Sequence, residues 1–301
     1  MAAPRRRAKP RRQPAVLAVV AVLALVAVIL VVVTRVGGSD RPAGSSDSAA
    51  GPGTSASDAS TPSASPTPPP RPRRAQCREL SYQAALATSD DSTPISCALP
   101  HTAMTIAVEA LPRDTAGTLL PTTTVRSRAR VAATCRREAA AFLGGTAEER
   151  ELSMLQVVWF VPTPAQIEAG ADWFRCDLIA LRAEARLLPL TGRLRDVIAG
   201  DGAARYAMCG TAAPGTTGFS RVVCSGPHRW RAISIVPLAD AAGAQGRYPG
   251  QDVVRERGQE PCQNAGQDAA DDPLDFQWGY EWPTAEQWSA GQTYGICWIP
   301  A

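Results

Sequence analysis

The sequence predicts an α+β protein made of two tandem, disulfide-stapled domains that follow an N-terminal transmembrane helix and a disordered linker. Three observations lead to this prediction. A long apolar run lies near the N-terminus, and a segment rich in Pro, Ser, Thr, Ala and Gly follows it. The eight cysteines of the chain all lie beyond that segment and fall into two sets of four with matching spacing.

The apolar run predicts the transmembrane helix. Residues 15–33 are 19 consecutive Ala, Val, Leu and Ile residues, and as a helix they extend about 28 Å, close to the roughly 30 Å hydrocarbon core of a bilayer. Six basic residues precede the run, so the positive-inside rule places the N-terminus in the cytoplasm. We expect a basic cytoplasmic tail at residues 1–14, the transmembrane helix at residues 15–35 and the rest of the chain outside the membrane.

A cleaved signal peptide is the alternative to this anchor. The apolar run is longer than the hydrophobic region of a typical signal peptide, and no A-x-A cleavage site follows it in residues 34–38. Both features favour an uncleaved signal anchor. The expected location is therefore the cell membrane, as a single-pass protein with extracytoplasmic C-terminal domains.

Residues 36–75 form the predicted linker. Gly, Ser, Ala, Thr, Asp and Pro dominate it, and such a composition buries too little apolar surface to offset the entropy lost on folding. As a flexible coil this segment would reach about 35 Å. We expect a disordered stalk that holds the folded part away from the lipid surface.

The cysteines reveal two copies of one unit. The first set is Cys77, Cys97, Cys135 and Cys176, and the second is Cys209, Cys224, Cys262 and Cys297. The second and third cysteines are 38 residues apart in both sets. A Pro-His pair follows each second cysteine, as Pro100-His101 and Pro227-His228, so the only two histidines of the chain occupy one equivalent position. This internal repeat predicts two tandem domains.

A second shared motif closes each copy and reads P-T-x-x-Q-x-x-A-G-x-x-[W/Y]-x-x-C in both. Its positions are Pro162, Gly170 and Trp173 in the first copy, and Pro283, Gly291 and Tyr294 in the second, where Trp288 lies inside the motif. We expect the first repeat at residues 76–182 and the second at residues 203–301. Residues 183–202 would connect them.

Each unit has the pattern of a small α+β domain. Apolar residues alternate after each Pro-His pair, at Ile106 and Val108 and again at Ile233 and Ile235, which predicts a half-buried strand in both units.

Further runs predict the other elements. Residues 125–143 are rich in Ala and Arg and precede two glycines, which indicates a helix around the third cysteine, with residues 251–259 as its weaker partner. The apolar runs 155–161 and 278–282 predict strands. Residues 178–198 carry apolar residues at helical spacing, which favours a second helix that also connects the units.

Two disulfides in each unit are the expected state of the cysteines. Four widely spaced cysteines per unit beyond a membrane span are typical of a disulfide framework in an oxidising compartment. The sequence leaves the pairing open. We favour the first cysteine with the second and the third with the fourth, because the last pair would tie a helix to the closing strand.

Metal binding and covalent haem are rival explanations of the Cys-x-x-Pro-His motif. One His among widely spaced cysteines is a poor zinc pattern. Pro100 and Pro227 stand where the haem-attachment motif C-x-x-C-H requires its second cysteine. We expect no cofactor and no metal site.

Charge excludes other functions. Residues 76–301 hold 20 basic and 25 acidic residues, which is unlike a nucleic-acid-binding domain. Lys9 is the only lysine, so the predicted domains have no residue for Schiff-base chemistry.

His101 and His228 are the candidate bases of an extracytoplasmic hydrolase. No G-x-S-x-G, H-E-x-x-H or phosphate-binding glycine motif accompanies them in the sequence. We favour a structural role in which Pro fixes a turn and the imidazole bonds a backbone carbonyl. The acid pairs Glu148-Glu149 and Asp271-Asp272 fall in expected loops and are interpreted as solvated charges. The sequence therefore predicts no catalytic residue.

Aromatic residues crowd the last 25 positions of the chain, at Trp278, Tyr280, Trp282, Trp288, Tyr294 and Trp298. An exposed cluster of this kind would suit glycan or peptide binding. Tyr294 corresponds to Trp173 of the first repeat and is expected in the core. Trp278, Trp288 and Trp298 have no aromatic counterpart in the first repeat, so the second repeat is the expected place for any binding surface.

At these motifs the chain resembles the septum formation family of actinobacterial envelope proteins. That family has a Cys, then Cys-x-x-Pro-His opening a strand, Tyr-Pro-Gly before a helix with the third Cys, and Pro-x-x-x-x-Trp-x-x-Gly before the fourth. The second repeat carries this pattern at Cys209, Cys224, Pro227, His228, Tyr248, Pro249, Gly250, Cys262, Pro283, Trp288, Gly291 and Cys297. The first repeat departs from it, with Ile167 at the Trp position. Met104 and Arg231 replace the acid that usually follows Pro-His.

The resemblance implies a membrane-anchored, extracytoplasmic protein of the cell envelope that is linked to septum formation or cell-wall processes. It further implies a non-enzymatic binding or scaffold protein, with cell-wall proteins, divisome proteins or glycan as expected partners and no nucleic acid. An extracytoplasmic hydrolase that uses the Pro-His histidines and a metal-binding envelope protein are the alternatives.

Overall fold

The computed structural model describes residues 69–200, 202–243 and 246–301. The expected cytoplasmic tail and transmembrane helix, and the linker up to residue 68, lie outside these described residues. Among the described helices, none combines the length and the apolar character needed to cross a membrane. We call residues 69–200 the first half and residues 202–301 the second half.

The first half alternates strands and helices. In chain order its elements are β1 (Cys77–Arg78), α1 (Tyr82–Ala85), β2 (Ala103–Ala110), α2 (Val125–Leu143), α3 (Ala147–Glu151), β3 (Leu155–Phe160), α4 (Pro164–Glu168), β4 (Trp173–Ala183) and β5 (Arg186–Leu187).

The second half follows a similar order. Its elements are β6 (Met208–Gly210), β7 (Arg221–Val223), β8 (Trp230–Pro237), α5 (Gln251–Asp268), β9 (Gly279–Glu281), α6 (Ala285–Ser289) and β10 (Tyr294–Pro300), with short 3-10 helices at Ala203–Tyr206 and Ala239–Ala241.

All ten of these strands belong to one antiparallel sheet. Its order is β1-β2-β4-β7-β6-β8-β10-β9, and β3 and β5 also pair with β4. The first half therefore contains the order β1-β2-β4-β3, and the second half the order β6-β8-β10-β9. The α+β class predicted from the sequence is confirmed.

Strand register also corresponds between the halves. Asp177 of β4 lies opposite Thr105 of β2, and Trp298 of β10 lies opposite Ala232 of β8. In each pair of strands the register then shifts, so that one residue of β2 and one of β8 is left without a partner in the ladder. A bulge of this kind bends a strand and increases its twist.

The two halves contact each other through their backbones. Met154 N donates to Tyr206 O at 2.7 Å, and Met208 N donates to Leu152 O at 2.9 Å. A side chain of α3 adds a third link, because Glu148 Oε1 accepts a hydrogen bond from Ile235 N at 2.9 Å. The sheet itself continues from one half to the other where Ala183 of β4 pairs with Val222 of β7.

Two helices pack on corresponding strands. Helix α2 begins after Thr124, whose Oγ1 accepts from Ser127 N at 3.2 Å, and ends at Gly144, which has a φ of 69°. Its bounds confirm the helix predicted at residues 125–143. Its buried face, which includes Val131 and Cys135, joins the larger core, and helix α5 contributes Val254 to a second core under β8 and β10.

Two helix predictions need correction. The helix predicted within residues 178–198 is wrong, because β4 continues to Ala183 and no helix occurs in that segment. Leu178 and Ala180 are fully buried, with exposures of 0%, and a strand covered on both faces has an apolar run without alternation. The helix predicted at residues 251–259 is too short, since α5 continues through Pro261 to Asp268. Packing of this helix on the sheet outweighs the missing N–H of proline.

Candidate functional site

Each Pro-His pair forms a turn that its own histidine holds. His101 Nδ1 lies 2.9 Å from Leu99 O, and His228 Nδ1 lies 2.8 Å from Gly226 O. Because a carbonyl oxygen only accepts, each Nδ1 carries a proton and donates it. Both histidines therefore make the backbone contact expected of a structural role, and neither Nδ1 is available as a base.

The eight cysteines form four disulfides, and the pairing is the one favoured from the sequence. The bonds are Cys77–Cys97, Cys135–Cys176, Cys209–Cys224 and Cys262–Cys297. The third and fourth cysteines of each set join a helix to a strand, α2 to β4 and α5 to β10. In the described parts of the chain, no group of three or more His, Cys, Asp or Glu side chains is arranged to hold a metal ion.

The closing motif of each half contains the start of a short helix. Gln166 Oε1 accepts from Thr163 N at 2.9 Å, and Thr163 Oγ1 accepts in return from Gln166 N at 3.3 Å. Thr284 and Gln287 make the same reciprocal pair at 2.8 Å and 3.2 Å. These capping boxes open α4 and α6, which follow Pro162 and Pro283. These two helices are not among those predicted from the sequence, although the Thr-x-x-Gln spacing is a local signal for such a capping box.

Most of the C-terminal aromatic residues are core residues. Tyr280, Trp288 and Trp298 are 5%, 6% and 0% exposed, and Trp278 and Trp282 pack against the second core. Trp288 and Trp298 therefore do not form the exposed binding surface that the sequence suggested. The first-repeat residue Trp173 is also buried, as predicted.

The two acid pairs differ from each other. Glu148 and Glu149 lie in α3 and not in a loop, and Glu149 accepts from Thr146 N at 2.7 Å in a third capping box. The hydrogen bonds from the backbone N–H and hydroxyl of Thr146 lower the pKa of Glu149. Asp271 and Asp272 are exposed, which agrees with the interpretation of solvated charges. Neither pair forms a carboxylate dyad.

A buried charged network lies inside the first half, and no sequence pattern predicted it. Thr105 Oγ1 donates to Asp177 Oδ1 at 2.8 Å and accepts from Arg78 Nη1 at 2.9 Å. Arg175 Nε donates to Asp177 Oδ2 at 2.9 Å, and its Nη2 also bonds the carboxylate of Asp90. Burial raises the pKa of Asp177 against the lowering effect of the nearby Arg175 charge. This network holds the loop of Asp90 on the sheet.

Within the described residues, a cleft with a volume of about 500 Å³ lies between the two halves. Helices α2 and α3 and strand β3 form one wall, and residues around α6 and the start of β10 form the other. Its polar lining includes three arginines, Arg136, Arg150 and Arg221, and one carboxylate, Glu151. A volume of this size is typical of small-ligand sites in proteins. Four residues of the second closing motif line this cleft: Gln287, Ala290, Gly291 and Tyr294.

Two polar contacts fix the second-half wall of the cleft. Arg221 forms an ion pair with Glu281, with 2.9 Å between Nη2 and Oε1. Tyr294 donates its hydroxyl hydrogen to the carboxylate of Glu151 across the cleft. Burial and the Glu151 charge raise the pKa of Tyr294 well above its usual value, so its hydroxyl stays protonated and remains a donor.

The fold and its four disulfides define a disulfide-stabilised α+β protein whose one sheet runs through both halves. A family model described as septum formation matches residues 74–297. The chain therefore belongs to the septum formation family, and the match runs through both halves. No curated protein and no solved structure matches the chain.

Proposed function

We propose that this protein is a membrane-anchored, extracytoplasmic protein that serves septum formation as a binding module and not as an enzyme. Membership of the septum formation family supports a role in cell division or envelope processes. The apolar run at residues 15–33, with basic residues before it, supports the anchor and its orientation.

The four disulfides are the observation that carries the proposal. They engage every cysteine of the chain, and disulfides persist in oxidising compartments outside the cytoplasm. This supports a folded part that lies beyond the membrane. The open cleft between the halves supports a binding role, because it is of small-ligand size and its arginines can attract an anionic group.

We propose also that the two halves are copies of one unit. The matched cysteine spacing supports this, and so do the corresponding strand orders and the corresponding register of Asp177 and Trp298. In such a pair of repeats, an open interface between copies offers a site that neither copy has alone.

The location of a fluorescent fusion tests the septal role. A fluorescent protein that matures in oxidising compartments would be fused to the C-terminus of the full chain and viewed in growing cells. We expect enrichment at septa. A uniform distribution over the envelope would contradict the septal role, and signal from the cytoplasm would contradict the anchored topology.

Mass spectrometry and two variants test the remaining alternatives. The purified full chain is expected to have a mass eight hydrogens below that of the reduced chain, because the eight cysteines form four disulfides. Eight free thiols with bound metal would favour the metal-binding alternative. The double variant His101→Ala, His228→Ala is expected to keep its septal location, whereas loss of biological function in a folded variant would favour the hydrolase.

A further inference from the structure

The charges that line the cleft do not all have partners. The Arg221 guanidinium faces Glu281, and its Nε lies 3.1 Å from both carboxylate oxygens. The Glu151 carboxylate accepts from Tyr294. The carboxylates of Glu281 and Glu151 are therefore engaged by groups of the second half.

Two arginines of the cleft form no ion pair with a carboxylate among the described residues. Arg150 donates from Nη1 to Gly144 O at 2.9 Å and to Gly145 O at 2.6 Å, which fixes its position at the end of α2. Its charge also acts on the neighbouring Glu149 carboxylate, but the two groups form no ion pair. Arg136 makes neither a hydrogen bond nor an ion pair within residues 69–200, 202–243 and 246–301. A pair of such guanidinium groups at one cleft is a site for an anionic ligand.

Arg136 extends from the first half to the second. Its Nη1 lies 3.2 Å from the point where a Cβ on Gly291 would stand. Gly291 has a φ of 107°, a conformation that favours glycine. The glycine of the closing motif thus leaves room for this guanidinium at the opposite wall of the cleft.

The other residues that line the cleft favour a carboxylate over a phosphate. Ala139, Leu143 and Leu155 supply apolar surface, and Gln156 supplies an amide that can pair with a peptide group. Gln287 can donate from Nε2, since its Oε1 already accepts from Thr284 N. Glu151 stands at the same wall as Arg150, so a doubly charged phosphate would meet a like charge there. A peptide with one C-terminal carboxylate and small side chains would match both the positive charge and the apolar surface of the cleft.

We propose that this cleft binds a short peptide by its C-terminal carboxylate, with Arg136 as the residue that pairs with the carboxylate. Arg150 adds a second positive charge, and the glutamines contact the peptide backbone. This inference rests on the proposed binding function and names the class of ligand that the site takes.

Calorimetric titration of the purified full chain in detergent tests the proposal. The probes are N-acetyl-Ala-Ala-Ala with a free C-terminal carboxylate, the same peptide as its C-terminal amide, and inorganic phosphate. We expect the acid to bind about tenfold more tightly than the amide, because only the acid can accept two charged hydrogen bonds from a guanidinium. We expect phosphate to compete poorly.

The variant Arg136→Gln should weaken binding of the acid about tenfold and leave binding of the amide unchanged. Arg137→Gln is the matched control, since Arg137 is the next residue on α2, its side chain is 68% exposed and it does not line the cleft. Equal unfolding midpoints for the two variants would show that both are folded. Arg136→Lys should bind with intermediate affinity, because it keeps the charge and loses the planar donor pair.

Several results would overturn the proposal. Equal affinity for acid and amide, no heat with the acid at millimolar concentration, or an unchanged affinity in Arg136→Gln would each remove the carboxylate site. Phosphate binding as tight as that of the acid would mean an anion site without peptide preference. The septal role is tested separately, because its failure would appear as a uniform distribution of the unsubstituted fluorescent fusion in cells. The result of the titration does not depend on that distribution.

Discussion

Asp177 and Trp298 occupy corresponding register positions in the two halves, yet one is a buried carboxylate and the other a buried indole. Asp177 lies opposite Thr105 and Trp298 opposite Ala232. Both residues are 0% exposed. The ring of Trp298 packs edge-on against Phe219 at a centroid distance of 5.3 Å. The same position of the sheet is therefore filled by a charge network in the first half and by apolar packing in the second.

The first prediction concerns the buried arginine of that network. Arg175→Met keeps most of the side-chain volume but leaves Asp177 without its ion pair at 2.9 Å. We expect the free energy of unfolding to fall by about 3–5 kcal/mol, because breaking a buried pair leaves an uncompensated charge. Urea unfolding of the purified chain measures the change.

Arg113→Met provides the control for this variant. Arg113 pairs with Asp172 at 3.2 Å, and both side chains are more than 40% exposed, so the loss should be within about 1 kcal/mol. The double variant Arg175→Met, Asp177→Leu imitates the second half and should cost less than the sum of the two single variants. Simple additivity would contradict a coupled network.

The second prediction is a pH dependence at Asp90. Burial alone would raise the pKa of Asp90, but hydrogen bonds from Arg175 and Ser92 and the charge of Arg175 outweigh it and hold the pKa below its ordinary value of 3.8. Between the folded and the unfolded pKa of Asp90, the unfolded state binds more protons than the folded state. The stability that Asp90 contributes is therefore present above about pH 4 and is lost as the pH falls.

Comparison of the wild type with Asp90→Asn isolates this effect. The free energy of unfolding should decrease less steeply below about pH 4 in Asp90→Asn than in the wild type. Burial raises the pKa of Asp177, so Asp177 changes the stability with pH in the opposite direction to Asp90. This effect is present in both proteins and cancels in their difference if the substitution leaves the pKa of Asp177 unchanged. Parallel curves would exclude a lowered pKa at Asp90.

Sequence spacing predicted the parts of this fold that depend on local patterns. Helix α2 begins and ends at the predicted residues, and the third and fourth cysteines of each set join a helix to a strand, as favoured. Those features have local signals, such as the two glycines after Leu143. The pattern after residue 178 predicts a helix where the structure has strand β4, because burial on both faces removes the alternation that identifies a strand.

The charge network and the cleft could not be predicted in the same way. Asp90 and Arg175 are 85 residues apart in sequence, and the walls of the cleft come from elements of both halves. No local periodicity connects such residues, since only the strand pairing brings them together. The two cysteine sets and the Pro-His pairs could be recognised in the sequence because their spacing repeats.

The third prediction compares two disulfides by the loops that they close. The sequence separation is 41 residues for Cys135–Cys176 and 15 residues for Cys209–Cys224. A disulfide reduces the conformational entropy of the unfolded chain, and it does so more when it closes a longer loop. Replacing both cysteines of a bond by alanine should therefore lower the free energy of unfolding by about 4 kcal/mol for the first bond and about 3 kcal/mol for the second. Urea unfolding of the two double variants measures both values. A larger loss from the short loop would show that native contacts, and not loop length, decide the order.

The last prediction concerns Gly258, which lies in the middle of α5 against the ring of Tyr280. A Cβ at Gly258 would stand 1.8 Å from Tyr280 Cζ, and a Cβ at Gly295 of β10 would stand 2.2 Å from Tyr280 Cε2. The ring thus fills the space of two absent side chains. Its hydroxyl donates to Val254 O at 2.8 Å, and burial raises the pKa of Tyr280 to about 12.

Gly258→Ala should therefore destabilise the protein although alanine is the better helix former. In an exposed helix this change would add about 1 kcal/mol of stability, whereas here displacement of the Tyr280 ring should cost about 1–3 kcal/mol. Glu256→Ala, at an exposed position of the same helix, is the matched control and should change stability by less than about 0.5 kcal/mol. Thermal and urea unfolding measure both variants. A stabilised Gly258→Ala would show that α5 does not approach Tyr280 this closely.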